Sequence, residues 1–492
     1  MDIDETQTVT IRVDDTGAQY PVLIDPWLQH PSSTAPVNKT GAKFGFSVAY
    51  CERWRPDFGA NGDYQGSLII GAPYYDDGLV GQGKIWAFSP TGSGTNTSFS
   101  VVYFEAKGEF ANANFGYSLA VAQPFDLPDG GAIKTFQEES PVQADLVVGS
   151  PGASSGAGRA YVYYGANSIT HPFGTYNRTA NRIYGGVMAG ENLGLSVAVG
   201  DVTGDGYQDL LIGRPNYASG EVNLYKSTST GLPGSITTSI FGSSTGEQFG
   251  WAIAVAGDVN HNNPDGQGIS LRDVLVGAPN YNGARGRVFL FDGTASGMAT
   301  TAYWTNTTAN AGCKFGYAVA GNGDIDDVNN KDFVVGAPFY DGNATDGGAV
   351  FVYRSNSSGS PMAATILQPP TAQSGSRLGY AVTLGDMDKD LTQDIIAGAP
   401  WYDKAIANDD KGRVFVFFGA SNSAPGSRVT HAESPQSTPD GEHFGSSVTY
   451  IFKISDPIND NRCFAAGAPE AKPLGVTGAG LVGVYELAPP YP

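Results

Sequence analysis

Two short segments of the chain place oxygen-bearing side chains at every second position. The first is Asp201–Asp209 and the second is Asp386–Asp394. Alternate side chains of a tight turn converge on one point, and a backbone carbonyl is available at the seventh position. Calcium prefers about six to eight oxygen ligands, so both segments are predicted calcium loops. The candidate ligands are Asp201, Thr203, Asp205, Tyr207, Asp209, Asp386, Asp388, Asp390, Thr392 and Asp394.

Two further segments carry incomplete versions of this pattern. Asp324–Asp332 keeps the end-to-end spacing, but Val328 stands at the fifth position, where Asp327 or Asn329 can substitute. The segment that begins at Asp258 has an insertion before its last carboxylate. Asp and Asn also favour turns that hold no metal, and this alternative stays open for both segments. The sequence therefore predicts two calcium ions and at most four, the extra candidate ligands being Asp258, Asn260, Asn262, Asp273, Asp324, Asp326, Asn329 and Asp332.

Signals for catalysis are weak. Gly152–Gly156 and Gly242–Gly246 match the G-x-S-x-G string, but neither has the strand–turn–helix context of a nucleophile elbow. The five histidines are scattered and form no H-E-x-x-H motif. Paired carboxylates for glycoside chemistry remain open, although the clustered acids are already accounted for as calcium ligands. We expect a protein that is not an enzyme.

The elements that position the acidic loops repeat seven times along the chain. A Phe-Gly or Leu-Gly dipeptide begins each repeat, and a Gly-Ala-Pro tripeptide or a close variant follows it after a short apolar run. The dipeptides begin at residues 44, 115, 193, 249, 315, 378 and 444. The tripeptides begin at residues 71, 149, 213, 277, 336, 398 and 467. A fixed internal period of this kind indicates a repeat architecture.

Every element of the repeat reads as a strand. The runs are short, rich in Val, Ile, Tyr and Phe, and bounded by Gly, Pro, Asn and Asp. Asp332–Val335 and Asp394–Ala397 are continuous apolar runs, which is typical of strands buried on both faces. Four antiparallel strands per repeat, repeated seven times, predict an all-β fold: a seven-bladed β-propeller with blades that start near the seven dipeptides.

Ring closure is predicted from the two ends of the repeat array. The seventh repeat has a third strand at Leu481–Leu487 but no fourth, whereas Trp27–Gln29 resembles the strand that precedes the sixth dipeptide. We expect Trp27–Gln29 to be the outer strand of the last blade. Residues 26–492 would then form one propeller, and residues 1–25 an N-terminal hairpin of Val9–Val13 with Tyr20–Ile24.

Composition excludes several classes of protein. The 492 residues carry a formal net charge of −20, so no basic face is expected for nucleic acid or an anionic membrane. No apolar run is long enough for a transmembrane helix, and the first residues do not form a signal peptide. Cys51, Cys313 and Cys463 are too few for a disulfide framework and are expected to be buried thiols, although pairing of Cys51 with Cys463 is left open.

The dipeptide, the tripeptide and the acidic loops together resemble the FG-GAP repeat, which occurs in the N-terminal propeller of integrin α subunits and in many microbial surface proteins. The resemblance covers roughly residues 26–487. It implies a seven-bladed propeller with calcium loops on one face and recognition on the opposite face. It also implies an extracellular or cell-surface protein, which we expect to be monomeric.

Two functions are consistent with these observations. The first is a non-catalytic, calcium-binding adhesion module that binds a protein, and the second is a glycan-binding propeller or the scaffold of a secreted carbohydrate-active enzyme. The loops vary strongly between repeats, which favours the first function. Aromatic residues recur just after the Gly-Ala-Pro tripeptides, where either a role in blade packing or a role in ligand binding fits. The candidate ligand-binding residues are Tyr75, Phe339, Tyr340, Trp401 and Tyr402.

Overall fold

The structure is a computed structural model of the 492-residue chain. The residues that it describes are 2–3, 9–10, 27–34, 39–56, 64–91, 98–122, 125–126, 132–133, 144–165, 179–261, 271–308, 310–328, 330–356, 360–403, 409–420, 425–434, 441–452 and 462–487.

Seven four-stranded antiparallel sheets form the molecule, which confirms the predicted seven-bladed propeller. The strands of the first blade are Ser47–Pro56, Tyr64–Ala72, Lys84–Thr91 and Ser98–Lys107. Those of the second are Ser118–Ala122, Asp145–Ser150, Arg159–Tyr163 and Arg182–Gly185. Those of the third are Val197–Gly200, Asp209–Arg214, Glu221–Tyr225 and Thr238–Phe241. Those of the fourth are Ala252–Gly257, Asp273–Ala278, Arg287–Phe291 and Trp304–Thr307.

The remaining three blades repeat this order. The strands of the fifth are Ala318–Gly323, Asp332–Ala337, Ala349–Tyr353 and Thr365–Leu367. Those of the sixth are Ala381–Gly385, Asp394–Ala399, Arg413–Phe417 and Val429–Glu433. The seventh blade contains Ser447–Ile451, Cys463–Ala468, Leu481–Leu487 and Trp27–Thr34. Short two-residue pairs and single helical turns occur in the connections, namely Phe125–Asp126 with Ala132–Ile133, Gly293–Thr294 with Gly297–Met298, Ala153–Gly156, Tyr281–Ala284 and Pro473–Gly475.

An N-terminal strand closes the ring, as the sequence predicted. Trp27–Thr34 pairs antiparallel with Leu481–Leu487, and the register places Trp27 opposite Leu487. The strand extends beyond the predicted Trp27–Gln29, with a register irregularity after His30. In the predicted N-terminal hairpin, Val9–Thr10 pairs with Asp2–Ile3, whereas the predicted partner strand at residues 20–24 lies outside the described residues.

The strands of each blade differ in burial according to their distance from the axis. The first strand of every blade contacts the first strands of both neighbouring blades, so these seven strands surround the axis. The second strands of blades two to seven are buried at every residue, as expected for continuous apolar runs covered on both faces. The core therefore lies between the blades. All three cysteines are buried thiols that take part in no disulfide, as predicted.

Glycine is required where neighbouring blades touch. The φ of Gly379 in the sixth dipeptide is +86°, and its carbonyl oxygen lies against the Cα of Gly336 in the preceding blade. A Cβ atom on Gly336 would clash with that oxygen. The same contact joins Gly467 of the last blade to Gly45 of the first. The dipeptide and the tripeptide are therefore the two halves of one contact between blades.

Candidate metal loops and the opposite face

The acidic loops connect the first and second strands of blades three to six. The residue at the second position of each loop is apolar and fully buried, which anchors the loop to the core; these residues are Val202, Val259, Ile325 and Met387. The residue at the fourth position has a positive φ in all four loops; these residues are Gly204, His261, Asp327 and Lys389. The four loops therefore share a left-handed turn that only Gly204 adopts without a Cβ penalty.

The first carboxylate of a complete loop is held by the backbone of the loop. The amide of Gly206 donates to Asp201 Oδ2 at 2.9 Å, and the amide of Leu391 donates to Asp386 Oδ2 at 3.2 Å. The last carboxylate links the loop to the sheet. Asp394 Oδ2 accepts from the amide of Met387 at 2.7 Å, and its Oδ1 accepts from the amide of Gly419 at 2.9 Å.

Asp209 and Asp332 link their loops to the sheet in the same way. One oxygen of each carboxylate accepts a hydrogen bond from a loop amide, and the other accepts from an amide that follows the third strand. Burial raises the pKa of Asp209 and of Asp394 to about 8, and the pKa of Asp332 and of Asp273 to about 7. Such carboxylates are costly to ionise in the fold unless a cation stands nearby.

Among the described residues, two sets of three carboxylates converge closely enough for one metal ion each. In Asp386, Asp388 and Asp394, and likewise in Asp324, Asp326 and Asp332, one oxygen from each residue lies within 4.8 Å of the others. The loop of blade three has Thr203 at the third position, so its first, third and last residues provide two carboxylates and a hydroxyl.

Orphaned oxygens show that the loops fit a hard cation. Thr203 Oγ1 is buried and has no hydrogen-bond partner among the described residues. The same is true of Asp326 Oδ1, which occupies the equivalent third position in blade five. Buried oxygens of this kind are normally satisfied, and a calcium ion bound by oxygen ligands would satisfy both.

Basic side chains also reach the loops, which sequence reasoning missed. Arg428 Nη2 lies 2.6 Å from Asp388 Oδ2, and Arg462 of the next blade forms an ion pair with Asp386. In blade three, Lys226 Nζ lies 3.2 Å from Asp205 Oδ2, and in blade five Arg354 lies 3.4 Å from Asp326. Lys226 and Arg354 directly follow a third strand. Arg428 directly precedes the fourth strand of its own blade, and Arg462 precedes the second strand of the next blade, so their spacing in sequence gives no signal.

Blade four brings a different set of residues together. Asp273 accepts from the amide of Val259 at 2.9 Å and from the hydroxyl of Tyr303 at 3.0 Å. Asp292, which follows the third strand, joins Asp258 as a second neighbouring negative charge on Asp273. Asp292 lies outside the loop spacing from which the other ligands were predicted. Two predicted ligands, Asn262 in this blade and Asn329 in blade five, lie outside the described residues.

The predicted ligand-binding aromatic residues lie at the opposite end of the blades. Tyr75 and Tyr402 are only 4% and 5% exposed, and they pack on Trp86 and Phe415 of their own blades at 5.1 and 5.4 Å between ring centroids. Two of the five predicted residues therefore have little surface left for a partner. The remaining three are half-buried; these residues are Phe339, Tyr340 and Trp401.

A cation–aromatic stack occupies this face between blades five and seven. The guanidinium of Arg377 lies 4.8 Å from the ring of Phe339 and 4.0 Å from the ring of Trp401. Lys314 Nζ also lies 5.3 Å from the ring of Phe339, and the His443 ring lies 4.6 Å from that of Trp401. Interactions of this type stabilise the packed arrangement by about 0.5–2 kcal/mol each, so they hold the rings in place before any partner binds.

A cavity of about 310 Å³ opens on the axis at the same face, and we call it the axial cup. Its wall receives one half-buried side chain from each blade, the residue directly after the Phe-Gly or Leu-Gly dipeptide. These residues are Phe46, Tyr117, Leu195, Trp251, Tyr317, Tyr380 and Ser446. Its rim is formed by Lys43, Trp401, His443, Pro469 and Glu470.

The FG-GAP repeat profile matches residues 193–228 and 378–417. Each matched segment begins at a Leu-Gly dipeptide and contains one of the two complete acidic loops. The chain is a seven-bladed β-propeller that contains FG-GAP repeats. This identification agrees with the glycine contacts between blades, which require the dipeptide and the tripeptide in every repeat.

The FG-GAP propeller is similar to integrin α subunits. It is 31% identical to integrin alpha-IIb of Homo sapiens over 318 residues, which cover 60% of this chain and 27% of that protein. It is 28% identical to integrin alpha-8 of Gallus gallus over 337 residues, which cover 62% of this chain and 27% of that protein. The chain thus spans about a quarter of the length of these curated relatives.

Solved structures align with the FG-GAP propeller only loosely. A lectin from Aleuria aurantia in complex with alpha-methyl-L-fucoside aligns over 82% of this chain and 99% of its own, with a TM-score of 0.39 and 11% identity. Sqt1 from Chaetomium thermophilum aligns over 89% of this chain and 83% of its own, with a TM-score of 0.41 and 13% identity. These scores support no inference about ligands. No helix among the described residues of the FG-GAP propeller is long and apolar enough to cross a membrane.

Sequence reasoning also missed the axial cup of the FG-GAP propeller. The residue after the dipeptide is aromatic in five of the seven repeats, namely Phe46, Tyr117, Trp251, Tyr317 and Tyr380. The glycine of every dipeptide has a positive φ, between +82° and +91°, so the chain turns between the buried Phe or Leu before it and the half-buried residue after it. The recurrence of an aromatic residue at this one position of the repeat is the signal that could have indicated a shared aromatic surface.

Proposed function

We propose that this FG-GAP propeller is a calcium-binding, non-catalytic recognition module that acts outside the cell or at the cell surface. The observation that carries the proposal is the convergence of Asp386, Asp388 and Asp394 on one point, with Asp324, Asp326 and Asp332 forming a second such site. The similarity to integrin α subunits supports an adhesion role, in which the face opposite the calcium loops binds a protein partner.

Calcium is the cation that these donors favour. The donors are carboxylate and hydroxyl oxygens, together with the carbonyl at the seventh position, whereas zinc prefers nitrogen and sulfur ligands. We assign the first two ions to the loops Asp201–Asp209 and Asp386–Asp394, and further ions to the loops of blades five and four. Bound calcium would favour the ionised form of the buried carboxylates. It would either displace the basic side chains that reach these carboxylates or share the carboxylates with them.

The role of the metal is to hold each loop and the strands on either side of it. Extracellular calcium modules have dissociation constants of about 0.1–1 mM. With roughly 2 mM calcium and a constant near 0.1 mM, each site adds about 1.8 kcal/mol to the free energy of unfolding by mass action. Sites in this range would be occupied at the calcium concentration found outside the cell, in agreement with the proposed location.

Thermal unfolding in EGTA and in 2 mM calcium tests the metal assignment. We expect the midpoint to rise with calcium, and isothermal titration to give at least two ions per chain. Asp388→Asn should remove one ion from this count. Asp341→Asn makes the same charge change at the opposite end of the blades and keeps the acceptor for the amide of Asp346, so it should leave the count unchanged. A midpoint that calcium does not shift overturns the assignment.

The partner-binding face is tested by variants of the cation–aromatic stack. Phe339→Ala and Trp401→Ala should weaken binding to whichever protein is retained from a panel of purified secreted and cell-surface proteins. Both variants should keep the calcium-dependent rise in melting temperature, because the stack lies at the other end of the blades from the acidic loops. Normal binding by both variants would place the protein contact elsewhere.

A further inference from the structure

The axial cup has walls that are mainly aromatic. Two arcs of rings line it, one formed by Phe46 and Tyr117, whose centroids are 4.7 Å apart. The other arc runs from Trp251 through Tyr317 and Tyr380 to Trp401, with centroid distances of 5.6, 4.9 and 5.2 Å. Leu195 and Ser446 stand in the two gaps between the arcs. The neighbouring rings are tilted against one another, so each one fixes the orientation of the next.

Polar groups are placed among these rings. Burial raises the pKa of Tyr117 and of Tyr317, and the neighbouring Tyr380 adds to this effect at both, so these phenols stay neutral and can both donate and accept. At the rim, Lys43 Nζ lies 2.8 Å from Glu470 Oε1. Burial lowers the pKa of His443, against the opposing effect of Glu470 and Asp410, which leaves a neutral imidazole at this edge.

Three classes of ligand can be compared with this arrangement. A cation would gain from the aromatic walls, but Lys43 is already on the rim and Arg377 already covers the ring of Trp401 at 4.0 Å. A purely apolar group would remove water from the phenols and from the Lys43–Glu470 pair without replacing the lost hydrogen bonds. A pyranose ring satisfies both requirements, because its C–H faces are apolar and its hydroxyls donate and accept.

We propose that the axial cup binds one neutral pyranose ring, presented by a glycan of the partner. This proposal rests on the proposed function, since it specifies the chemical group that the recognition face binds. The volume of about 310 Å³ lies at the lower end of the range for ligand pockets, roughly 300–1,000 Å³, and it suits one sugar ring rather than an oligosaccharide. The seven repeats thus build one site together, so no copy of it is expected in each blade.

The test uses the full chain in 2 mM calcium and a panel of methyl hexopyranosides as probes. Saturation-transfer NMR and isothermal titration should detect at least one hexopyranoside that binds in the millimolar range. Trp251→Ala should weaken this binding at least tenfold, and Tyr317→Phe, which keeps the ring and removes the hydroxyl, should weaken it several-fold. Tyr217→Ala is the matched control, because Tyr217 stacks on Arg214 at the same face but outside the cup, and binding should not change.

Several outcomes overturn the sugar assignment. They are the absence of binding by every hexopyranoside, tighter binding of choline or of N-acetylarginine amide, and hexopyranoside binding that Trp251→Ala and Tyr317→Phe leave unchanged. Tyr317→Phe keeps the test decisive if Trp251→Ala does not fold. The calcium-dependent melting shift, measured on the same samples, separates the two proposals: its presence without sugar binding overturns only the sugar, and its absence overturns the calcium-dependent function.

Discussion

At the scale of single residues, the left-handed positions of the acidic loops determine which side chains the loops tolerate. The sixth position has a φ of +83° at Gly206 and +75° at Leu391. Leu391 is 77% exposed, so its side chain contributes little packing that would offset the strain of this conformation. A left-handed conformation costs a residue with a Cβ atom about 1–2 kcal/mol, and Asn tolerates it better than Leu.

We therefore expect Leu391→Asn to raise the free energy of unfolding by about 0.5–1 kcal/mol. Gly206→Ala makes the opposite change at the equivalent position and should lower it by about 1 kcal/mol. Urea unfolding midpoints in EGTA and in calcium measure both variants. Loss of stability in Leu391→Asn would show that the loop of blade six does not carry this strain.

The buried aspartates predict how pH changes the effect of calcium. Burial raises the pKa of Asp209 and of Asp394 to about 8 in the fold, above the value of 3.8 for a free side chain. The metal-free fold therefore binds protons more tightly than the unfolded chain, and it loses stability as pH rises from about 4 to 8. Calcium needs the ionised carboxylates, so the calcium-dependent rise in melting temperature should be larger at pH 8 than at pH 5.5.

Melting curves at a series of pH values, with EGTA and with calcium, check this prediction. Asp394→Asn should remove part of the pH dependence in EGTA, because the amide cannot ionise. A calcium effect that is the same at pH 5.5 and pH 8 would contradict it.

At the scale of the strands, the contact between blades depends on the glycine of the tripeptide. Gly336→Ala would place a methyl group against the carbonyl of Gly379 and force two backbones apart. Overpacking of this kind costs about 1–3 kcal/mol. Gly185, the last residue of an outer strand, has open space where its Cβ would be, so Gly185→Ala is the matched control. Chemical denaturation should separate the two variants, and equal stabilities would count against the contact.

At the scale of the whole molecule, the N-terminal strand decides whether the ring is closed. Deletion of residues 1–34 removes the partner of Leu481–Leu487 and leaves an unpaired sheet edge, which promotes aggregation. Deletion of residues 1–20 keeps Trp27–Thr34 and should be tolerated much better. Light scattering and melting temperature compare the two truncations. If both behave alike, the strand does not stabilise the ring.

The sequence by itself determined the repeat, the strands and the complete acidic loops. These features are local: strand runs, turn glycines and alternate donors such as Asp386, Asp388 and Asp394 lie within a few residues of one another. The repeat then implied a closed ring, because one blade cannot bury both of its faces alone. Even the closing strand could be recognised, since Trp27–Gln29 resembles the outer strands of other repeats.

Only the tertiary structure decided what surrounds those local features. Arg462 reaches Asp386 from the next blade, and Tyr75 and Tyr402 are buried by their own third strands rather than left for a ligand. The axial cup is built from one residue per repeat, from Phe46 to Ser446, so no window of the sequence contains it. The physical reason is that ring closure brings distant residues together on the axis, and burial and charge pairing depend on those neighbours rather than on spacing along the chain.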